Sequence, residues 1–519
     1  MARCMPQLFL ILFLLFSVCD EAAKAQTIDL SEILEVHGLA GMSVATRCGS
    51  ELSLEVHAGF RDIDDGWEVE SGTTFRMASI SKAVVALAAA KLAEQETLDL
   101  SAPLGLYLED PPFHPSHPEV ELTVRHLLTH TSGIRDGSGY SDFLSASYNE
   151  IPDVPSLSSV LQTGGAYYTS DMWGAAEPGA YFQYANLNFG VLATVMEAAT
   201  GLRFDQLMEA LLFGPYGLDA GFRVQDLDNI ADLAVLYRQV DGQWVPQADH
   251  YNGVMPTGPD WSEYLPGTNA VAFSPQGGLR ISARDLTQLA RLWSTGSALG
   301  AEGAPLTLLG PDALGQLQSP QWSYDGSNGN PYYGLFNQWA DGLHLAASGM
   351  GADEVIPDVA VSPFIGHPGE AYGLISDAYA TPGGEWNFVF VTNGKWDGYG
   401  SGDASAFYQV EQDVFAALKQ DLLTCLAQQV NAPSFAHWHL VGNPRAGDTL
   451  LMMAGDFQNT PALRFHLFDA TGRKRCEGRV PPNGTPIALP VPPLTPGIHF
   501  LTLEGKPGEV SRLAFLVAG

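Results

Sequence analysis

The chain has 519 residues, 46% of them hydrophobic, and its 58 acidic and 25 basic residues give a formal net charge of −33 at pH 7. This length and composition are typical of a globular protein with two or more domains. The acidic balance argues against nucleic acid and anionic membranes as partners, because both bind basic protein surfaces.

The N-terminal residues have the pattern of a secretory signal. Arg3 precedes the apolar run Leu8–Val18, and the small-residue pattern Ala23-Lys-Ala25 follows. We therefore predict a signal peptide over residues 1–25 and a protein that is secreted or held at the cell surface after passing through the periplasm. Because the apolar run is short for a bilayer span, no stable membrane anchor is expected.

Three cysteines remain after the predicted signal: Cys48, Cys425 and Cys476. Their spacing matches neither a metal site nor a disulfide framework. An oxidising compartment permits a bridge between Cys48 and Cys425, and we hypothesise that this bridge forms.

The chemistry is predicted at the start of a helix. Two apolar runs, Met42–Thr46 and Leu52–Phe60, predict a strand hairpin, and after it Ser79 and Lys82 open a stretch rich in Ala, Val and Leu. Such a stretch predicts a helix that is buried on several sides. Residues three apart share one face, where free N–H groups favour developing negative charge.

Ser79 is thus a candidate nucleophile and Lys82 a candidate base, if burial lowers the pKa of its amine. The same spacing also arises by chance, from a serine near a helix start and an exposed lysine. Of the seven lysines in the chain, only Lys82 has a serine three residues before it, which favours the catalytic interpretation.

Two histidines, His126 and His130, lie in a predicted short helix that begins near Thr123 and ends before Gly133. Their four-residue spacing would allow them to share a face and bind a metal. No acidic partner completes a ligand set, so we interpret both as structural.

Tyr184 and Asn186 precede a predicted helix, Val191–Thr200, that Gly201 should end. Tyr184 could transfer a proton, either as a phenolate beside Lys82 or as the acid that protonates a leaving group. Asn186 could form a hydrogen bond with Lys82 or with a substrate amide. The alternative is a tyrosine that only packs at a helix start.

The motifs Ser79-Ile-Ser-Lys82, His126-Leu-Leu-Thr-His-Thr-Ser-Gly133 and Tyr184-Ala-Asn186 together resemble the class C β-lactamase and DD-peptidase-like serine hydrolases. The family's third element lies on an edge strand and is best matched by His367-Pro368-Gly369. The resemblance covers about residues 30–429. It implies an α/β (α+β) fold, in which helices flank an antiparallel sheet and a helical domain is inserted.

The resemblance also implies residue roles. Ser79 would be the acyl-forming nucleophile, Lys82 and Tyr184 the proton-transfer pair, and Asn186 a residue that positions the substrate. No metal or cofactor is implied. The sequence contains no helical His-Glu-x-x-His motif, so it gives no support to a metallohydrolase as an alternative.

The third element differs from that of β-lactamases. The backbone N–H groups of Ser79 and Glu370 would form the oxyanion hole, with His367 and Gly369 beside the substrate. His367 replaces the usual lysine, and an imidazole with a pKa near ~6.5 is largely neutral at pH 7. A permanent cation for a substrate carboxylate is therefore missing. Pro368 is tolerable only where its backbone faces the open side of an edge strand.

These differences favour esters or small peptides over penicillins. The predicted function is that of an exported serine hydrolase that forms an acyl-enzyme with an ester, amide or D-amino-acid peptide. The alternatives are a β-lactamase or penicillin-binding DD-carboxypeptidase, and a catalytically idle binding protein on the same fold.

A second domain is predicted after the hydrolase domain, which would cover residues 26–430 and end with the helix Asp403–Val430. Residues 431–433 read as a linker. Short apolar runs between Thr449 and Val517 predict a β-sandwich over residues 434–519.

The C-terminal segment resembles the sorting domain of type IX secretion. The resemblance rests on Asn443-Pro444, the run from Phe465 to Arg473, and Leu494-Thr-Pro-Gly-Ile-His-Phe500. It implies secretion machinery as a partner. An accessory β domain, such as a carbohydrate-binding one, is the alternative.

Overall fold

The structure is a computed structural model. It describes residues 30–324, 339–341, 346–348, 355–356, 359, 364–396, 398–403, 407–431, 439–440, 450–454, 464–469, 473–479, 487–494, 497–504 and 510–517. The predicted signal peptide and Asn443-Pro444 lie outside these residues. The chain divides into two compact units, Met1–Cys425 and Leu426–Gly519. The predicted boundary at residues 430–434 stays a prediction.

The first unit is built around antiparallel strands. They are β1 (Gly41–Cys48), β2 (Glu51–Asp62), β3 (Trp67–Glu68), β4 (Thr74–Arg76), β5 (Ala220–Gly221), β6 (Leu236–Val240), β7 (Gln243–Ala248), β8 (Arg280–Ser282), β9 (Ser297–Leu299), β10 (Pro305–Thr307), β11 (Trp322–Tyr324), β12 (Trp339–Asp341), β13 (Ala346–Ser348), β14 (Phe364–Ala371), β15 (Leu374–Ala380) and β16 (Trp386–Thr392). A nine-stranded sheet has the order β11-β12-β13-β14-β15-β16-β1-β2-β3, and β4-β8-β5 form a smaller sheet. The main sheet thus combines strands from both ends of the unit.

Helices flank this sheet. They are α1 (Leu30–His37), α2 (Ile80–Glu94), α3 (Val124–Leu128), α4 (Tyr140–Asn149), α5 (Ser158–Leu161), α6 (Asn186–Thr200), α7 (Phe204–Met208), α8 (Gly214–Tyr216), α9 (Ala283–Thr295), α10 (Pro311–Gln318) and α11 (Gln409–Asn431), with a π-helical turn at Glu209–Phe213. Five 3₁₀ turns are also described: Leu104–Leu106, Ser170–Met172, Val224–Asp226, Ile230–Asp232 and Ala270–Phe273. The helices α3 to α8 come from the segment between β4 and β5, which confirms the predicted fold of a sheet with an inserted helical region.

Helix α2 is the buried centre of the unit. Twelve of its fifteen residues are buried, because small Ala and Val side chains cover nearly its whole circumference. It contacts β14 and β15 on the sheet and the helices α6, α9 and α10. The sequence prediction of a helix covered on several sides is confirmed.

Three helices differ from their predicted bounds. Helix α11 begins at Gln409, six residues after the predicted start at Asp403, and ends at Asn431, which was predicted to lie in the linker. Helix α3 ends at Leu128 after five residues, because His130 takes a left-handed conformation with φ 53°. Helix α6 begins at Asn186, five residues before the predicted start. Its first N–H groups are satisfied by Asp136, about 50 residues earlier in the chain. A cap so distant in sequence leaves no local signal.

A disulfide between Cys48 and Cys425 joins the end of β1 to α11, which confirms the hypothesis drawn from the sequence. The predicted hairpin is also confirmed, since β1 and β2 pair antiparallel. Within the described residues, no helix combines the length and hydrophobicity of a membrane span.

The second unit contains two antiparallel sheets. Their strands are β17 (His439–Leu440), β18 (Leu450–Ala454), β19 (Arg464–Asp469), β20 (Lys474–Arg479), β21 (Ile487–Pro490), β22 (Gly497–Glu504) and β23 (Val510–Val517). The orders are β17-β18-β21 and β20-β19-β22-β23. These strands are consistent with the predicted β domain. The sequence missed β20, whose residues are mostly charged and exposed.

Candidate active site

Ser79 lies at the entrance of α2. Strand β4 leads into the helix through Ala78, which adopts a left-handed conformation with φ 44° that is uncommon for a residue other than glycine. Ser79 follows as the N-cap residue and is half-buried. This sharp turn places the hydroxyl at the mouth of a cleft and at the positive end of the α2 dipole.

Lys82 is fully buried beneath Ser79. Its Nζ lies 3.0 Å from Ser79 Oγ and donates to the Gln276 carbonyl oxygen at 2.7 Å. Burial lowers the pKa of the Lys82 amine to about 7, while the Asp136 carboxylate opposes that shift. The side chain can therefore exchange a proton with the serine hydroxyl near neutral pH.

Tyr184 packs over this pair. Its ring centroid lies 4.8 Å from Lys82 Nζ, so the amine faces the aromatic ring. The ring also stacks on His130, with centroids 4.4 Å apart, and lies nearly parallel to His367 at 6.2 Å. The three residues that the sequence assigned to proton transfer and nucleophilic attack are thus brought together.

Asn186 has a partner that the sequence did not predict. Its side-chain amide donates to Asp136 Oδ2 at 2.9 Å, and the same carboxylate accepts the backbone N–H groups of Asn186 and Leu187 at 2.8 and 3.0 Å. Desolvation raises the pKa of the Asp136 carboxyl, although these donors and Lys82 oppose the shift. Asp136 therefore fixes the start of α6 against the cleft.

His367 lies on β14 and is 6% exposed. Its Nδ1 lies 2.6 Å from the Pro368 carbonyl oxygen, a contact in which the ring nitrogen must donate. Burial, together with nearby Lys82, lowers the pKa of the imidazole to about 3. The ring is neutral at pH 7, as expected, but burial rather than its ordinary pKa is the main reason.

Gly369 allows β14 to approach the nucleophile closely. A Cβ at this position would lie 2.6 Å from the Met77 carbonyl oxygen and 3.2 Å from Ser79 N. Any larger residue would push the strand away from the serine backbone. The glycine is therefore required by space, not by a special backbone conformation.

The N–H group of Glu370 points to the open side of β14. Ile375 is opposite Glu370 in the β14–β15 ladder, and its own N–H donates to Thr392 Oγ1 on the far side. Glu370 and Ile375 are therefore a pair that exchanges no backbone hydrogen bonds. The backbone N–H of each residue points away from the other strand of the pair. Pro368 points the same way by alternation, and the described part of β13 pairs only as far as Gly366.

One cleft of about 670 Å³ borders this cluster, and the predicted residues Lys82, His367 and Gly369 are not among those that line it. It contains the predicted residues Ser79, Tyr184, Asn186 and Glu370. It also contains residues that the sequence did not single out: Arg76, Arg135, Asp136, Tyr148, Gln276 and Tyr372. Two signals were available. Arg76 lies three residues before Ser79, and the segment from Asp136 to Gly179, rich in Ser, Tyr, Gly, Asp and Pro, is typical of loops and short helices on the rim of a cleft.

The two histidines interpreted as structural have structural contacts. His126 Nδ1 accepts the Thr123 N–H at 3.3 Å and so helps to cap α3. His130 Nδ1 lies 3.2 Å from both Ala185 N and Asn188 Nδ2, which ties its loop to α6. Both rings therefore have local hydrogen-bonding roles.

One acidic cluster is also described outside the cleft lining. Ligand atoms of Asp62, Asp64 and His250 lie within 4.8 Å of one another. Asp62 Oδ1 accepts hydrogen bonds from the N–H groups of Asp64 and Asp65 and from the Tyr237 hydroxyl. The burial of Asp62 is thus explained by its hydrogen bonds within a turn and to Tyr237.

Comparison with curated proteins identifies relatives over part of the chain. Esterase EstB of Burkholderia gladioli is 30% identical over 215 residues, which is 39% of this chain and 53% of the esterase. Penicillin-binding protein 4* of Bacillus subtilis is 25% identical over 185 residues, covering 36% of this chain and 38% of that protein. The chain thus matches about half or less of the length of these relatives.

Solved structures share the fold. EstCE1, described as a hydrolase with promiscuous acyltransferase activity, superposes with a TM-score of 0.55 at 21% identity, over 77% of this chain and all of the other. The octameric penicillin-binding protein homologue from Pyrococcus abyssi superposes with a TM-score of 0.53 at 17% identity, over 94% of each chain.

A family model described as Beta-lactamase matches residues 29–405, which is well over half of the 519 residues. The matched region contains the serine, the lysine and strand β14, which borders the cleft. Strand β14 was predicted to be an edge strand, but its first residues pair with β13, so it lies inside the nine-stranded sheet. The chain therefore belongs to the beta-lactamase family of serine hydrolases.

Proposed function

We propose that the protein hydrolyses an ester, an amide or a D-amino-acid peptide through an acyl-enzyme formed on Ser79. The observation that carries the proposal is the 3.0 Å contact between Ser79 Oγ and Lys82 Nζ. The pKa of that amine, lowered to about 7, makes it a base suited to neutral pH.

Acylation begins when the neutral amine of Lys82 takes the proton of Ser79 Oγ as the oxygen attacks the substrate carbonyl. The negative charge on the carbonyl oxygen rests on the N–H groups of Ser79 and Glu370. The Tyr184 phenol protonates the leaving group and recovers a proton from Lys82, so both side chains return to their starting states. Water then attacks the acyl carbonyl as Lys82 takes its proton, and Ser79 Oγ departs and regains that proton.

The geometry supports different roles for Lys82 and Tyr184. Lys82 Nζ is within hydrogen-bonding distance of Ser79 Oγ, so we assign it as the base. Tyr184 covers that amine and lines the cleft, so we assign its phenol as the acid that protonates the leaving group.

The third element supports esters or small peptides over penicillins as substrates. His367 is buried and neutral, so no cation stands at the position where β-lactamases usually have lysine. The relationship to esterase EstB favours an ester among these substrates. A β-lactamase or a penicillin-binding DD-carboxypeptidase remains the alternative activity.

The first test is turnover of a p-nitrophenyl ester series and of the chromogenic β-lactam nitrocefin. We expect ester turnover that is lost in Ser79→Ala, with little nitrocefin cleavage. Ser81→Ala is the matched control, because it removes a hydroxyl from the same helical turn. That hydroxyl accepts a hydrogen bond from Leu279 N and does not contact Lys82 in the way that Ser79 does. Rapid nitrocefin cleavage would favour the β-lactamase alternative.

A catalytically idle binding protein is the second alternative. A serine-reactive phosphonate labels a serine only when a base and an oxyanion hole activate it. Labelling of the intact chain but not of Ser79→Ala would support catalysis, and unlabelled wild-type protein would support the binding role.

We further propose that the protein is exported and that its C-terminal β domain engages type IX secretion machinery. The Cys48–Cys425 disulfide supports export, because stable disulfides are typical of oxidising compartments. Mass spectrometry of the secreted fraction tests the proposal. A mature N-terminus at Gln26 is expected, and an unprocessed chain found only in the cytosol would refute it.

A further inference from the structure

The Lys82 amine has one lone pair and two N–H groups when it is neutral, and its neighbours determine where these point. The Gln276 carbonyl oxygen, 2.7 Å from Nζ, can only accept, so it takes one N–H. The ring of Tyr184 lies 4.8 Å from Nζ, and an aromatic face attracts the second N–H. The lone pair is then left for Ser79 Oγ at 3.0 Å. The position of the Gln276 carbonyl therefore decides whether the base faces the nucleophile.

That carbonyl belongs to a tight turn just before β8. Ser274 adopts a left-handed conformation there, with φ 57°. Its carbonyl oxygen accepts the N–H groups of Gly277 and Gly278 at 3.1 and 2.7 Å. A residue other than glycine keeps such a conformation only where the surrounding structure holds it. The turn that presents the Gln276 carbonyl therefore needs support from outside itself.

Tyr148 supplies a contact of this kind from the inserted helical region. It lies near the end of α4, 126 residues before Ser274 in the chain. Its hydroxyl donates to Ser274 Oγ at 3.0 Å and accepts from Gln276 Nε2 at 3.0 Å. One phenol oxygen thus holds the side chains on both sides of Pro275. Because its single hydrogen is given to Ser274, the phenol is not free to donate to a substrate.

We propose that Tyr148 is a positioning residue: it holds the turn from Ser274 to Gln276 so that the Gln276 carbonyl aims the Lys82 amine at Ser79. The inference rests on the proposed hydrolase function and adds a residue that acts on the base through the turn. It makes a helix of the inserted region responsible for the geometry of a base that lies on α2.

The first test is Tyr148→Phe, which removes the hydroxyl and keeps the ring. The kcat for p-nitrophenyl acetate and p-nitrophenyl butyrate should fall about 10- to 100-fold, because a small misplacement of a catalytic group is costly. The factor should be the same for both esters, and KM should stay near the wild-type value. A wild-type kcat, a loss confined to KM, or a loss that differs between the esters would overturn the proposal.

A second variant tests the route through the turn. Gln276→Met removes the amide that bonds to Tyr148 and keeps the carbonyl that bonds to Lys82. If both variants loosen the same turn, the double variant should lose no more activity than the weaker single variant. Losses that multiply would show independent effects and overturn the proposal.

Tyr216→Phe is the matched control. It removes the hydroxyl of another buried tyrosine, which donates to the Leu306 carbonyl oxygen, and Tyr216 does not line the cleft. Its kcat should equal that of the wild type. Urea unfolding of every variant establishes that the proteins compared are folded.

The pKa of Lys82 provides a readout that does not need turnover. NMR of protein labelled with ¹³C at lysine Cε follows each amine, and the signal missing from Lys82→Met assigns Lys82 among the seven lysines. A carbonyl that accepts from the amine favours its charged form, so Tyr148→Phe should lower this pKa. The other titratable groups that face Lys82 are unchanged in the variant: Asp136, Tyr184, His130 and His367.

The two readouts separate this proposal from the proposed function. An unmoved pKa of Lys82 in Tyr148→Phe would overturn the positioning role, whether or not the protein hydrolyses esters. A lowered pKa in a protein without Ser79-dependent turnover would support the contact between Tyr148 and the base and would instead overturn the hydrolase proposal.

Discussion

Replacing the buried Lys82 with methionine should stabilise the protein while it lowers its activity. The fall in the pKa of Lys82 from 10.5 to about 7, at about 1.4 kcal/mol per pH unit, means that the fold resists the charged amine by about 5 kcal/mol. Methionine fills a similar volume without charge. It leaves the Gln276 carbonyl without its bond to Nζ, at a cost of about 1–3 kcal/mol.

The net gain should therefore be about 2–4 kcal/mol, and it should depend on pH. Because the pKa of the folded state is lowered, the unfolded chain binds more protons between pH 7 and pH 10.5, and wild-type stability rises with pH over that window. The advantage of Lys82→Met is thus complete below pH 7 and shrinks as the pH rises toward 10.5.

Urea unfolding at pH 6 and pH 9 measures this difference directly. Lys91→Met is the matched control: it removes a lysine from the same helix whose amine is partly exposed and bonded to Glu94, so it should change stability by no more than about 1 kcal/mol. In parallel, the kcat of Lys82→Met should fall about 10²- to 10⁴-fold. A Lys82→Met variant that is less stable than the wild type, or a gain in stability that does not depend on pH, would refute the assignment of Lys82 as a neutral buried base.

Four further predictions follow from the same geometry. The kcat/KM of the wild type should rise with pH through about 7, as Lys82 loses its proton, and a pH profile that is flat from 5 to 9 would contradict this assignment. Asp136→Asn should move the acid limb of that profile to lower pH, because the carboxylate raises the pKa of Lys82; an unmoved limb would count against the coupling. Gly369→Ala should reduce kcat and lower the free energy of unfolding, measured with urea, by about 1–3 kcal/mol, because its Cβ would crowd Ser79 N. Wild-type activity in this variant would show that β14 can move away from Ser79 without loss of function. Cys425→Ser should lower the free energy of unfolding by about 2–5 kcal/mol, and a reductant should do the same to the wild type but not to the variant.

Local patterns were sufficient to predict much of the fold. The β1–β2 hairpin, the buried helix α2 and the glycine that ends α6 each depend on neighbours within a few residues. Hydrophobic periodicity and helix-stop signals describe such neighbours directly. The set of Ser79, Lys82 and Tyr184 could also be predicted, because its members belong to short motifs with fixed spacing.

Features that depend on contacts between residues far apart in the sequence were either not predicted or were explained by a different physical cause. Asp136 caps a helix that begins 50 residues later, and Asp249 pairs with Arg76 across 173 residues. The burial of His367 likewise depends on which elements pack over β14. The sequence accordingly predicted a cleft without a permanent cation, whereas the structure places Arg76 on its wall.

The most direct test of the account is to trap the acyl-enzyme. The intact chain is mixed with a p-nitrophenyl ester, quenched with acid within the first turnovers, digested and analysed by mass spectrometry. We expect an added acyl mass on the peptide that contains Ser79 and no added mass in Ser79→Ala. An acyl group on any other residue, or ester turnover that persists in Ser79→Ala, would contradict it.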